Sequence, residues 1–175
     1  MKKNLIVVAL VAAASLSATQ AIAGGAGQVN FEGAITDQAC TIVNTATNPL
    51  DVKLGTYGSN EFQAAGDTTA KMGFDIALTA CPASATSASV NFDGMADTTN
   101  GDLLALTPGT GNATGVGIQL YDDAGTEIAL HTASKSYPLV TGDNNLPFAA
   151  AYKSTAATVT AGPADGVANF SIIYN

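Results

Sequence analysis

The stretch Ala168-Asn169-Phe170-Ser171-Ile172-Ile173-Tyr174-Asn175 places apolar side chains at every second position: Ala168, Phe170, Ile172 and Tyr174. A period of two puts all four on one face of an extended strand, whereas helical spacing would scatter them. Upstream the same period recurs in Leu146-x-Phe148-x-Ala150-x-Tyr152 and in Val116-x-Ile118-x-Leu120. The second of these runs into Asp122-Asp123-Ala124-Gly125, a turn signal, and then Ile128. Phe74-x-Ile76-x-Leu78 leads to Cys81, Val90-x-Phe92 follows, and Val29-x-Phe31-x-Gly33-x-Ile35 stands ahead of them all. The 18 glycines interrupt any helical pattern before it gains length. Short strands separated by Thr-, Asn-, Asp- and Gly-rich turns predict an all-β chain, either a sandwich or a barrel. Cysteines beside two early strands favour the sandwich. No repeat or proline-rich linker splits it into two domains.

The first residues read as a leader. Lys2-Lys3 form a positive start, Leu5 to Leu16 are an apolar run of 12 residues, and Ala21-Ile22-Ala23 has the small-x-small form of a cleavage site. Together they predict a secretory signal over residues 1–23. The run is too short to cross a bilayer, which takes about 20 apolar residues. Export gives the two cysteines a meaning: in an oxidising compartment Cys40 and Cys81 read as one structural disulfide. A zinc site would need two more ligands, and a redox pair would prefer Cys-x-x-Cys.

Composition then removes whole classes of function. The 175 residues hold 14 acids against 6 lysines and no arginine, a formal charge of −8. Loss of Lys2 and Lys3 with the leader takes the side-chain charge to 4 minus 14, or −10. Such a surface has nothing with which to neutralise phosphates, so a nucleic-acid partner is not expected. The lone histidine, His131, cannot build a multi-histidine metal centre. His131 and Ser134 share a loop (HTASKSYP) without the strained turn that presents a nucleophile. Gly109-Thr110-Gly111 and Gly115-Val116-Gly117 do not extend into a phosphate-binding loop. Asp122-Asp123 and Asp143-Asn144-Asn145 lack calcium-loop spacing. These residues predict no enzyme, cofactor, metal or small-molecule substrate.

What remains distinctive is the pair of chain ends around a one-disulfide β domain. Val29-Asn30-Phe31-Glu32-Gly33-Ala34-Ile35 precedes Cys40, followed by FDIALTAC over Phe74 to Cys81 and VGIQLYDDAG over Val116 to Gly125. Pro147-Phe148-Ala149-Ala150-Ala151-Tyr152, then Gly162, and Tyr174 as the penultimate residue complete the series. In order and spacing these resemble the chaperone–usher fimbrial subunits, most closely the type 1 major pilins, over essentially the whole chain. The pattern alone reads equally well as a closed sandwich with Val29 to Ile35 as its first strand. The resemblance implies instead an incomplete immunoglobulin-like β-sandwich completed by a donor strand from a neighbouring subunit.

On that resemblance, residues 24–37 form the donor-strand extension and 38–175 the pilin domain. Val29, Phe31 and Ile35 are expected to fill an apolar groove, with Gly33 at a shallow place where a side chain would clash. Only five residues precede Val29 after the expected cleavage, a short lead for this family. Gly162, Ala168, Phe170, Ile172 and Tyr174 are expected at the acceptor groove and chaperone contact, with the Asn175 carboxylate on a basic site of a periplasmic chaperone. An outer-membrane usher would exchange chaperone for donor strand, giving a homopolymer on the cell surface. A minor adaptor subunit is the alternative role. A carbohydrate-binding tip adhesin fits less well, because such a protein needs a further N-terminal domain.

Overall fold

A computed structural model describes residues 28–33 and 39–175; the expected leader lies outside the described residues. The chain divides into two units, residues 1–35 and 36–175. Within the first, residues 28–33 carry no regular secondary structure and all are exposed.

The described residues of the second unit form eight strands. They are β1 (Thr41–Ile42), β2 (Met72–Cys81), β3 (Ser87–Gly94), β4 (Val116–Asp122), β5 (Glu127–Ile128), β6 (Tyr137–Pro138), β7 (Gly142–Ser154) and β8 (Ala168–Tyr174). One 3-10 turn at Ser59–Glu61 is the only helical element among the described residues. Every pairing is antiparallel, and the strands form a five-stranded sheet ordered β1-β2-β7-β4-β5 and a three-stranded sheet ordered β6-β3-β8.

The period-two runs explain which faces meet. Ile76 and Leu78 of β2, Ile118 and Leu120 of β4, and Leu146, Phe148 and Ala150 of β7 point inward from the larger sheet. Val90 and Phe92 of β3 meet them from the smaller one. Phe92 packs edge-on against Phe148 with ring centroids 5.1 Å apart, and Phe74 and Phe170 join the same aromatic group. Such offset geometries are the favourable ones for aromatic quadrupoles.

Near its end β2 slips register between Leu78 and Cys81, and Ala80 adopts a left-handed φ of 52°. A bulge of this kind inserts one residue and re-aims the next side chain. Cys81 is thereby buried and bonded to Cys40, the expected disulfide.

Tyr137 shows how the second sheet is held at its β6 side. Its buried ring packs edge-on against Phe148, and its hydroxyl donates to the Pro147 carbonyl at 3.1 Å. Burial pushes the Tyr137 phenol up to about 12. Tyr121 and Tyr152 are raised as well, chiefly for the same reason. A phenol whose pKa is higher folded than unfolded (about 10) favours the folded state while it stays protonated. That contribution is complete below pH 10 and is lost as pH rises through about 12. Urea midpoints should therefore fall between pH 9 and pH 12, and less steeply in Tyr137→Phe. An equal decline in both proteins would show that Tyr137 is not responsible.

Candidate functional site: one open strand edge

Two sheets have four edges, and three of them are blunt. β1, β5 and β6 have two residues each, and β6 ends in Pro138, which has no N–H to offer. Beyond β6 the edge of β3 is closed irregularly. The Val90 N–H donates to the Ser134 hydroxyl, and the Ser134 N–H to the Val90 carbonyl. The fourth edge is β8, seven residues with no proline and no bulge, paired only to β3 among the described residues. A long, flat, apolar edge is a template for another strand.

The side chains of β8 match that reading. Ala168, Phe170, Ile172 and Tyr174 face the core but are only half-buried, although their β3 partners Val90 and Phe92 are nearly inaccessible. An inward face left half-exposed lacks a covering layer. At one end the strand is tied across to the other sheet, since the Cys40 N–H donates to the Tyr174 hydroxyl at 3.1 Å. Asn175 follows, its N–H donating to Ser87 O and its carbonyl accepting from the Thr86 hydroxyl.

A second stretch, unmarked by sequence reasoning and without regular secondary structure, runs from residue 49 to 57. Its alternating Val52 and Leu54 are half-buried, and Leu54 packs on the same core cluster as Phe170, Ile172 and Tyr174. Among the described residues its backbone makes no hydrogen bond. Backbone groups of this kind are normally paired. The alternation Leu50-x-Val52-x-Leu54 was the available signal.

The remaining expected site residues fall as follows. Val29 and Phe31 are 74% and 93% exposed, large apolar groups presented to solvent, and Ile35 lies outside the described residues. No atom lies within 4 Å of where a Gly33 Cβ would sit. Gly162 is not on β8 but in the connection before it. A Cβ there would run into the backbone of residues 111–113, 2.6 Å from the Ala113 nitrogen. It also lines a cavity of about 350 Å³ with Tyr57, Phe62 and Tyr152.

Chemistry-bearing side chains are occupied structurally. The Ser134 hydroxyl donates to the Lys135 carbonyl, and His131 Nδ1 lies 3.1 Å from Asp93 instead of facing a nucleophile. Asp123 pairs with Lys135, which holds its carboxyl below the usual range, and Asp122 accepts the Thr126 N–H. Among the described residues no three potential metal ligands cluster.

An antiparallel sandwich with one strand edge left open is the architecture of a subunit made to be joined. A family model described as "Fimbrial protein" matches residues 29–175, and the chain belongs to that family. The "Fimbrial subunit type 1" of Salmonella typhimurium is 38% identical, over 98% of this chain and 94% of its own length. The "Type-1 fimbrial protein, A chain" of Salmonella typhi is 41% identical over 85% of this chain and 82% of its own. Among solved structures, the type I fimbria protein of Burkholderia pseudomallei superposes with a TM-score of 0.61 at 40% identity, covering 79% of this chain and 91% of that one. A subunit of a chaperone–usher pilus gives 0.64 at 26% identity, covering 86% of this chain and 96% of that one. The fold is thus the immunoglobulin-like sandwich of chaperone–usher pilins. The protein is a structural subunit of a fimbria, a surface appendage of the cell.

Proposed function

We propose that this subunit polymerises with its own kind by donor-strand exchange, the N-terminal segment of one copy filling the open β8 edge of the next. The observation that carries the reading is the full-length free edge of β8 with its half-buried inner face, in a molecule whose other edges are blunt. Leu54, packed on the same core cluster within a stretch (residues 49–57) whose backbone is unpaired, supports placing that stretch as the other flank of the groove. Val29, Phe31 and Ile35 are the side chains offered, worth about 1.5–3 kcal/mol each on full burial. Main-chain bonding to an added strand supplies affinity, and alternate side chains supply fit.

Size matching selects the antiparallel orientation. Ile35 then faces Ala168, Gly33 faces Phe170, Phe31 faces Ile172 and Val29 faces Tyr174, so Phe170 meets the one donor position that has no side chain. Parallel docking would instead set Phe31 beside Phe170, against the crowded aromatic group. Until assembly the exposed edge needs a cover. A periplasmic chaperone lending a strand fills that role, with Asn175 at its basic anchor and an outer-membrane usher as the place of exchange.

The test is a synthetic peptide of residues 24–37 added to chaperone-bound subunit. Chaperone release with formation of a peptide–subunit complex is expected; a peptide that displaces nothing overturns the reading. Gly33 offers a clean variant, because a side chain there meets no atom of the free chain. Gly33→Leu should leave the subunit's melting temperature unchanged and slow its polymerisation roughly 5- to 150-fold, through a clash worth about 1–3 kcal/mol. Wild-type growth rates from that variant would remove Gly33 from the groove.

A further inference from the structure

We propose that Met95 and Val167 form a contact face for the body of a second copy of this chain, the copy whose N-terminal segment occupies β8. The inference rests on the donor-strand reading and adds a surface outside the groove.

The last pair of the β3–β8 ladder is Gly94–Ala168, and Met95 and Val167 are the residues just beyond it, one on each strand. They are 54% and 71% exposed. The backbone is tied on both sides of the pair: the Met95 carbonyl accepts the Ala105 N–H at 2.7 Å, and two residues before Val167 the Asp165 carbonyl accepts the Thr107 N–H at 2.7 Å. The Val167 carbonyl lies 3.2 Å from where a Gly94 Cβ would sit, so the two strands remain close here. Two large apolar side chains held at one end of a ladder mark an interaction surface more than a tolerated accident.

The length of the connecting chain says what covers them. With Ile35 facing Ala168, the donor leaves the groove at the Ala168 end. Its own disulfide residue, Cys40, follows five residues later, a reach of at most about 18 Å. The donor's folded unit is therefore held against the end of the acceptor that carries Met95 and Val167. The opposite end of β8 carries Thr86, Ser87 and Asn175, which are already hydrogen-bonded to one another.

The experiment compares full mature chains with and without M95D/V167D, measuring uptake of peptide 24–37 and the dissociation rate of two-subunit complexes. Peptide uptake within twofold of wild type, together with subunit complexes that part about tenfold faster, is the expected result. Wild-type dissociation from the double variant overturns the contact. Failure of the wild-type chain to take up peptide overturns the donor-strand reading, and this proposal with it. The milder pair M95Q/V167T should shift dissociation in the same direction if the charged pair folds poorly. A photo-cross-linker at position 167 should capture the copy whose segment is docked. Capture of the chaperone alone, or of a laterally adjacent subunit, counts against the assignment.

Discussion

A chain lacking residues 24–36 is expected to take up donor peptide normally and yet to add no further subunit. The first strand, β1, begins at Thr41, so the deletion removes no strand of the sandwich and leaves its β8 edge in place. What disappears is the pair Val29 and Phe31, apolar side chains that the single subunit leaves in solvent, with Ile35 beyond them. Mixed into wild-type subunits, the shortened chain should cap growing fibres at one end only. Fibre length, read by electron microscopy, should then fall as its share rises. Polymerisation of the shortened chain alone at the wild-type rate would show that another segment is the donor.

Removing the disulfide is the second large effect. Cys40 and Cys81 are 41 positions apart, and in the chain-entropy account closing a loop of that length constrains the unfolded chain by roughly 4 kcal/mol. Cys40→Ser with Cys81→Ser should lose about that much stability, a fall of the order of 10 °C in Tm. The consequence also reaches the edge strand. Cys40 supplies the N–H that holds the Tyr174 hydroxyl, so the double variant loosens the end of β8 as well as the start of β1. Donor peptide should bind it more weakly than it binds the wild type. Unfolding by guanidinium, with and without peptide, separates the two effects. An unchanged midpoint in the absence of peptide contradicts the stabilising role of the bridge.

Much of the fold is legible where alternation lasts. The Ala168 to Tyr174 run coincides with β8, and the runs ending at Cys81, Leu120 and Tyr152 lie within β2, β4 and β7. Elsewhere the physics leaves little trace in the residues. β1, β5 and β6 have two residues each, too few to show a period. The bulge before Cys81 rests on Ala80, a residue type with no preference for left-handed backbone. Between residues 42 and 48 a side chain supplements backbone pairing, as where Asn44 Oδ1 accepts the Ala77 N–H beside the Val43 N–H to Ala77 carbonyl bond. Leu50-x-Val52-x-Leu54 does alternate, but between Pro49 and Gly55 it is too short to stand out from a loop.

The candidate site divides along the same line. The inner face of β8 is written in its spacing. That the strand has no second neighbour among the described residues is not, because openness is a property of what fails to pair and no residue type encodes it. Gly162 illustrates the converse: its place in the chain is plain, but its reason, close approach to the backbone of residues 111–113, is purely tertiary.

The three blunt edges have a consequence for material properties. On the proposed donor-strand reading, a subunit with one acceptor edge and one donor segment has a valence of two, with unlike ends. Units of that kind form linear threads with a direction. They do not branch into networks, and without a third sticky edge neighbouring threads do not fuse side to side through strand pairing. On that reading, Pro138 and the two-residue strands β1, β5 and β6 are the elements that keep the product a fibre and not a gel.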